Sequence, residues 1–301
     1  MERKMTQSQP RVSVIIPTLN RDAVLTATLD DVLKQMYPDF EVIVVDQSDE
    51  VAESVRRYLN MHPDVIFLQL EEKGTPNAKN VGADRATGEI FVFLDDDVRI
   101  ASNRFLLAHV ANYADPAVGG VGGRVTMDGD PPPETIADVG KFRWFGLKEV
   151  TNFSANFRTD IDHVYGCNQS FRREAFERAG GFQKVYKGNA HLEEADVSFR
   201  VRRAGYRIVF DPNAVLHHLY FPSGGTRTKD VYELRYWLVH NGTVFYLRHY
   251  GWLLFPLFFL KQLGWAIGSG LKRGDGRMVR VILSAVWAGI QHYRSNKLRV
   301  V

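Results

Sequence analysis

The 301-residue sequence contains one cysteine, Cys167, which excludes an intramolecular disulfide framework and fits a reducing compartment. Charge of one sign is scarce. Against 38 Lys and Arg stand 35 Asp and Glu, and the formal net charge of +3 is too small to point to nucleic acid as a partner. No stretch of about 20 residues is uniformly apolar, which argues against a clean transmembrane span. The start, "MERKMTQSQP", lacks the apolar core of a secretory signal, and none is expected. Two phosphate-binding signatures are also missing. No glycine-rich G-x-G-x-x-G follows the first strand and no P-loop lysine motif occurs, so glycine amides are not expected to cradle a phosphate.

What is present is an ordinary globular composition, 45% hydrophobic and 24% charged. The first hundred residues alternate two hydrophobic periods. "VSVIIP" (12–17), "FEVIVVD" (40–46), "VIFLQL" (65–70) and "EIFVFLD" (89–95) are short β-branched and aromatic runs, and helical spacing fills 23–36, 51–61 and 76–86. Such repetition predicts right-handed crossovers and a parallel sheet buried on both faces. Thr75 reads as an N-cap before a first-turn Pro76. Further on, "SNRFLLAHVANYAD" reads as helix, "VGGVGGRVTM" as a glycine-loosened strand, "HVYGCNQSFRR" as strand, 193–204 as helix and "YRIVFD" as strand. From about residue 231 the chain turns to aromatic-rich, basic helices.

In an open α/β sheet, ligands bind beyond the carboxyl ends of the strands. The groups standing there are "PTLNR" (17–21), "DQSDE" (46–50) and "DDD" (95–97). The last is the most informative, because three adjacent like charges at the mouth of so apolar a strand repel one another unless a cation or strong donors compensate them. A solvated loop after an edge strand is the plain alternative. Carboxylates spaced i, i+2 on an extended segment can turn toward one hard cation, and Mg²⁺ or Mn²⁺ takes such oxygens together with substrate phosphates.

Five segments, "VSVIIPTLNR", "EVIVVDQSDE", "KGTPNAKNVGADRATGEIFVFLDDD", "GCNQSFRREAFERAGGF" and "HLEEADVSFRVRRAGYRI", occur in this order over about residues 11–225. Together they resemble the family 2 glycosyltransferases of the GT-A fold. The resemblance implies an α/β, Rossmann-like, mostly parallel sheet flanked by helices, with a nucleotide-sugar half at about 11–100 and an acceptor half at about 101–230. It also implies an inverting, metal-assisted transfer from a nucleoside-diphosphate sugar to a hydroxyl of a glycan or lipid-linked acceptor. Pro17, Thr18, Asn20 and Arg21 match the segment lining the nucleotide-base pocket, and Asp46 the aspartate that hydrogen-bonds the base. Lys79 stands where arginine is usual against the diphosphate, keeping the charge and losing the bidentate fork. Asp95 and Asp97 match the two acids of the D-x-D motif, the first toward the ribose and the second on the metal, with Asp96 in support. Cys167 reads as a buried small hydrophobe and Asn168 as the better polar contact beneath the sugar.

Glu193, Glu194 and Asp196 sit in a helix first turn, where the dipole stabilises acids whatever their function, and Asp196 can pair with Arg200. The resemblance places Glu194 at the catalytic-base position, usually an aspartate, and leaves Glu193 and Asp196 structural or acceptor-positioning. His218 matches the histidine that reaches the metal or diphosphate, with His217 as the alternate, and Arg227 belongs to a basic loop suited to the diphosphate. A sugar nucleotidyltransferase and a catalytically silent glycan- or nucleotide-binding module are the alternatives.

The tail, 231–301, is read as a helical, membrane-associating extension. A helix at 251–271 is read as lying in the membrane interface, a depth that suits Trp252 and Trp265, while Lys272, Arg273, Arg277, Arg280, Arg294, Lys297 and Arg299 suit anionic head groups. A buried helical hairpin is its alternative. The expected location is the inner, cytoplasmic face of the cell membrane. A chain ending near residue 230 is expected to be soluble.

Overall fold

A computed structural model describes residues 9–129, 138–226 and 228–295. The four apolar runs form β1 (Val12–Thr18), β2 (Phe40–Asp46), β3 (Val65–Gln69) and β4 (Ile90–Leu94), joined by α1 (Asp22–Leu33), α2 (Glu53–Met61) and α3 (Thr75–Arg85). β1 pairs in parallel with both β2 and β4, and β2 with β3. Every residue of β1 and β4 is buried, because crossover helices cover both faces, and this is why these strands read as continuous apolar runs. The start of α3 differs from expectation. Gly74, at φ 149°, is its N-cap and donates its N–H to Gln47 Oε1 at 2.6 Å, while Thr75 is already helical and caps nothing.

The second half adds β5 (Val98–Arg99), α4 (Phe105–Ala111), β6 (Val118–Thr126), a hairpin of β7 (Lys141–Arg143) and β8 (Lys148–Val150), β9 (Thr159–Asp160), β10 (Asn168–Arg172), α5 (Arg173–Arg178), α6 (Glu193–Arg203) and β11 (Arg207–His218). The main sheet runs β3-β2-β1-β4-β10-β6-β11-β5, with β9 also on β11. β10 lies antiparallel between β4 and β6, and β6 is parallel to β11, so the sheet is mixed and mostly parallel as expected. The glycines of β6 serve close approach: a Cβ at Gly123 would stand 2.3 Å from both the Asn168 amide nitrogen and the Ala214 carbonyl.

The tail folds as α7 (Val231–His249), α8 (Gly251–Arg273) and α9 (Arg277–Ser295). The boundary expected near 230 coincides with the start of α7, which packs back onto the preceding residues. Val244 and Phe245 of α7 share an apolar cluster with Tyr186, Leu192 and Ala195, and His249 and Arg248 bind Asp196 of α6. α8 behaves differently. Among the described residues it contains the one segment, 251–272, long and apolar enough to cross a membrane, and only 17% of its apolar window is buried. Leu253 is 90% exposed.

Ending the chain after residue 230 removes Arg248 and His249 from Asp196, leaving it Arg200 alone, and uncovers the apolar wall on α6. Such a chain is expected to aggregate and to lose cooperative unfolding. Thermal melting followed by circular dichroism checks this, and a cooperative melt from a soluble product would contradict it.

Candidate active site

Strand register builds the site. β1 and β2 end together at the Thr18–Asp46 pair, and β4 delivers Asp95–Asp97 alongside. β5 then pairs with the end of β11, His218 facing Val98, which brings that imidazole back to the aspartates. His218 Nε2 lies 3.2 Å from Asp97 Oδ1 and 3.9 Å from Asp95 Oδ2. One ligand atom from each of these three residues fits within 4.8 Å of the others. Two carboxylates and an imidazole converging in this way are a donor set suited to a divalent cation such as Mn²⁺ or Mg²⁺. His217, on the opposite strand face, pairs instead with Thr126 and Asp128.

Much of the triplet's repulsion is compensated by the chain itself. Arg21 Nη1 lies 2.9 Å from Asp96 Oδ1 and 3.0 Å from Asp97 Oδ2, and Thr18 Oγ1 donates to Asp96 Oδ2 at 2.6 Å. Burial pushes the Asp96 carboxyl up to about 6 against the opposing pull of Arg21 and Thr18. Burial acts in the same direction on Asp97, but His218 and Arg21 outweigh it and hold its pKa below the usual carboxylate range. The 219–226 segment closes over this pair: Phe221 N–H donates to Asp97 Oδ2, the Ser223 carbonyl accepts from Arg21, and Gly225 N–H donates to the Leu19 carbonyl. Gly224 has to be glycine on two counts, a φ of 70° and an Asn20 carbonyl 2.3 Å from where its Cβ would stand.

A cleft of about 550 Å³ opens here, lined by Pro17, Thr18, Arg21, Asp95, Asp96, His218 and, from α6, Glu193 and Glu194. The three acids of α6 have separate fates. Glu193 is an ion-pair partner, 2.6 Å from Lys79 Nζ with both side chains almost wholly buried. Asp196 is tied to Arg200 at 2.7 Å and His249 at 2.8 Å; burial would raise its pKa, but these partners and Arg248 hold it far below the ordinary range. Glu194, half-buried at the cleft wall, makes no ion pair among the described residues, and burial together with the Glu193 charge pushes its pKa up to about 8. Leu192, the residue capping this helix, sits at φ 70°, a strained conformation for leucine beside the site.

Several expected contacts fall elsewhere. Asn168 is fully buried in the sheet, donating to the Arg124 and Ala214 carbonyls and bound to His109, so its amide holds strands together and does not reach the sugar. Asp46 is buried and caps its own loop at Ser48 N–H, and Gln47 lines the cleft in its place. Asn20 is exposed at φ 54°. Lys79 lines the cleft, but its charge is already paired with Glu193. Arg227 lies outside the described residues. Cys167 is buried as expected, and burial pushes its thiol pKa well up. Tyr165, His191 and Tyr220 also line the cleft; as single residues in irregular segments they carried no signal in the sequence.

A family model described as glycosyl transferase family 2 matches residues 13–180. The chain is 33% identical over 228 residues to the glycosyltransferase AglE of Haloferax volcanii, covering 73% of this chain and 70% of that protein. It is 29% identical over 222 residues to the glucosyl-dolichyl phosphate glucuronosyltransferase of the same organism, covering 70% of each. Other relatives are longer, and the chain spans 25% of one and 19% of another. Its fold is similar to that of the mannosyltransferase PcManGT from Pyrobaculum calidifontis, solved with GDP-Man and Mn²⁺, at a TM-score of 0.58 and 21% identity over 94% of this chain and 88% of that one.

Removing one member of the Lys79–Glu193 pair leaves a buried charge uncompensated. Glu193→Ala is expected to cost about 3–5 kcal/mol of folding stability, and replacing both residues with apolar ones of similar volume to recover most of it. Chemical denaturation of the single and double variants checks this.

Proposed function

The chain belongs to glycosyl transferase family 2, and from that premise we propose that it transfers a sugar from a nucleoside-diphosphate donor to a hydroxyl of a glycan or lipid-linked acceptor, with inversion at the anomeric carbon. The observation that carries this reading is the separation of roles within one cleft: a three-ligand cluster at the strand ends, and on another element a carboxylate without an ion-pair partner among the described residues and with a raised pKa. The similar mannosyltransferase was solved with GDP-Man and Mn²⁺, which supports a nucleotide-sugar donor and a divalent cation of that kind.

In this mechanism Asp95, Asp97 and His218 would hold the cation, which when bound would supply positive charge against the diphosphate. Arg21 keeps the second Asp97 oxygen in place, and Asp96 keeps Arg21 in place. Glu194 accepts the proton of the acceptor hydroxyl as its oxygen forms a bond to the anomeric carbon on the face opposite the diphosphate. The bond to the diphosphate breaks there, and its electron pair leaves with the phosphate oxygen.

A lipid-linked acceptor is supported by the name of the glucuronosyltransferase relative and by the outward apolar face of α8, where Trp252 and Trp265 are half exposed. We read α8 and α9 as lying on the inner face of the cell membrane, held by apolar burial and by Lys272, Arg277, Arg280 and Arg294; Lys297 and Arg299 lie outside the described residues.

Asp97→Ala is expected to abolish Mn²⁺-dependent donor binding in titration calorimetry, and unchanged affinity would refute the cation site. Glu194→Gln keeps shape and loses basicity, so kcat should fall by roughly 10²–10⁴ with donor affinity nearly unchanged. The active form of Glu194 is the carboxylate and its pKa is raised to about 8, so kcat/KM in the wild type should climb with pH and level off above about 8. A flat profile from pH 6 to pH 9, on the order of the range a general base with this pKa must cross, would move the role to another group.

A further inference from the structure

A second cavity, of about 160 Å³, opens between the β7–β8 hairpin and helices α7 and α8. His191 belongs to its wall and to that of the main cleft, so one imidazole separates the two. The lining is largely apolar, from Phe142, Leu147, Phe245, Tyr246 and Phe258, yet Arg235 of α7 and Lys261 of α8 enter it. Arg235 is equipped for a partner the chain does not supply. Its guanidinium lies 3.7 Å from the centre of the Trp265 ring and donates through Nη2 to Gln262 Oε1 at 2.6 Å. Its Nε is buried without an acceptor, and no carboxylate pairs with it among the described residues. Burial pushes its pKa down, and the Trp265 ring and the Gln262 amide replace its lost hydration only in part. Lys261 donates to the Leu147 carbonyl. The acid in this wall, Glu149, sits 3.4 Å from His163 Nε2, and burial favours its neutral form. Burial, reinforced by the Arg235 charge, pushes the His191 pKa down to about 4, so that imidazole is neutral.

We propose that this cavity receives a phosphate group carried by a lipid-linked acceptor, with Arg235 as its direct ligand and Lys261 as the second cation. The proposal rests on the transferase reading above and deepens it by naming what marks the acceptor. A guanidinium offering Nε–H and a terminal N–H on one edge matches two phosphate oxygens, which a neutral lipid alcohol does not provide. The volume suits one phosphate group and is well below that of an ordinary pocket for a drug-sized ligand. A lipid source is favoured over free phosphate by continuity of surface. Lys261 follows Leu257 and Leu260 on α8, which are 42% and 61% exposed, so apolar surface runs from the cationic group out along the helix. The attached sugar would then project past His191 toward Glu194.

The test is co-sedimentation of the full chain with phosphatidylcholine vesicles carrying farnesyl phosphate, farnesol, or phosphatidylglycerol at matched negative charge, with inorganic phosphate as a soluble competitor. The wild type is expected to bind the farnesyl phosphate vesicles at least about tenfold more tightly than the other two, the range of a bidentate charge-assisted pair. Arg235→Gln should remove that preference while leaving the melting temperature unchanged, and Lys261→Gln should remove part of it. Equal binding to farnesol, equal binding to phosphatidylglycerol, a preference that survives in Arg235→Gln, or displacement by inorganic phosphate at the same concentration as the lipid would each overturn the proposal. Should Arg235→Gln fail to fold, Lys261→Gln, altered at an exposed residue, decides: a reduced preference supports the proposal and an unchanged one overturns it. Binding is read without turnover, so a chain that shows the preference but transfers no sugar would overturn the transferase reading and leave this one standing.

Discussion

The site depends on one buried guanidinium. Arg21 bridges Asp96 and Asp97 while holding the carbonyls of Phe221 and Ser223, so a single side chain ties the end of β1, the acidic triplet and the segment following β11. Without it, adjacent buried carboxylates would face each other with no guanidinium between them, and the closing segment would lose an anchor. Burial would work against the charge on Arg21, but Asp96 and Asp97 hold its pKa above the ordinary value, so it stays a cation. The division of labour among the aspartates follows. Asp96 is occupied on both oxygens by Thr18 and Arg21, whereas Asp97 turns one oxygen to Arg21 and the other toward His218 and Asp95. The arrangement leaves a partly pre-neutralised site, in which a cation of the proposed kind would complete the charge and need not supply all of it.

The same logic separates the acids of α6. Three carboxylates within one helical turn share the dipole and the sequence neighbourhood, and only their partners differ. Asp196 meets Arg200, Arg248 and His249 and is held ionised; Glu193 meets Lys79; Glu194 makes no ion pair among the described residues, and burial with the Glu193 charge outweighs the pull of Lys79 and drives it toward protonation. Environments that push neighbouring titratable groups apart are what distinguish a proton acceptor from a structural acid.

The boundary between what the sequence revealed and what it concealed follows contact range. The strands of the first half were legible because burial on both faces leaves uninterrupted β-branched runs, and the strand-end acids followed from the fold class. Individual side-chain duties were not legible where the partner is remote. Arg21 reads locally as part of a nucleotide-base pocket, but its partner Asp96 is 75 residues away. Asn168 reads as a polar group beside a glycine loop, and only the antiparallel insertion of β10 between β4 and β6 turns its amide into the sheet. The break expected near 230 follows a real change of composition, but composition is blind to His249 reaching back 53 residues to Asp196.

That contact changes how the tail relates to the catalytic half. α7 is a shared beam. Its C-terminal end grips Asp196 beneath the helix that carries Glu194, its middle fills the apolar wall behind that helix, and its N-terminal half presents Arg235 to α8. α8, in turn, exposes most of its apolar surface. A helix that is buried at one end against α6 and bound at the other to an apolar, largely exposed neighbour fixes the distance between the two. If α8 rests at the membrane, the cleft is held at a set height and orientation above it, so an acceptor anchored in the lipid meets Glu194 in a repeatable pose. On that reading the aromatic, basic tail would be part of the catalytic geometry, because positioning two reactants removes translational freedom that the chemistry would otherwise have to overcome.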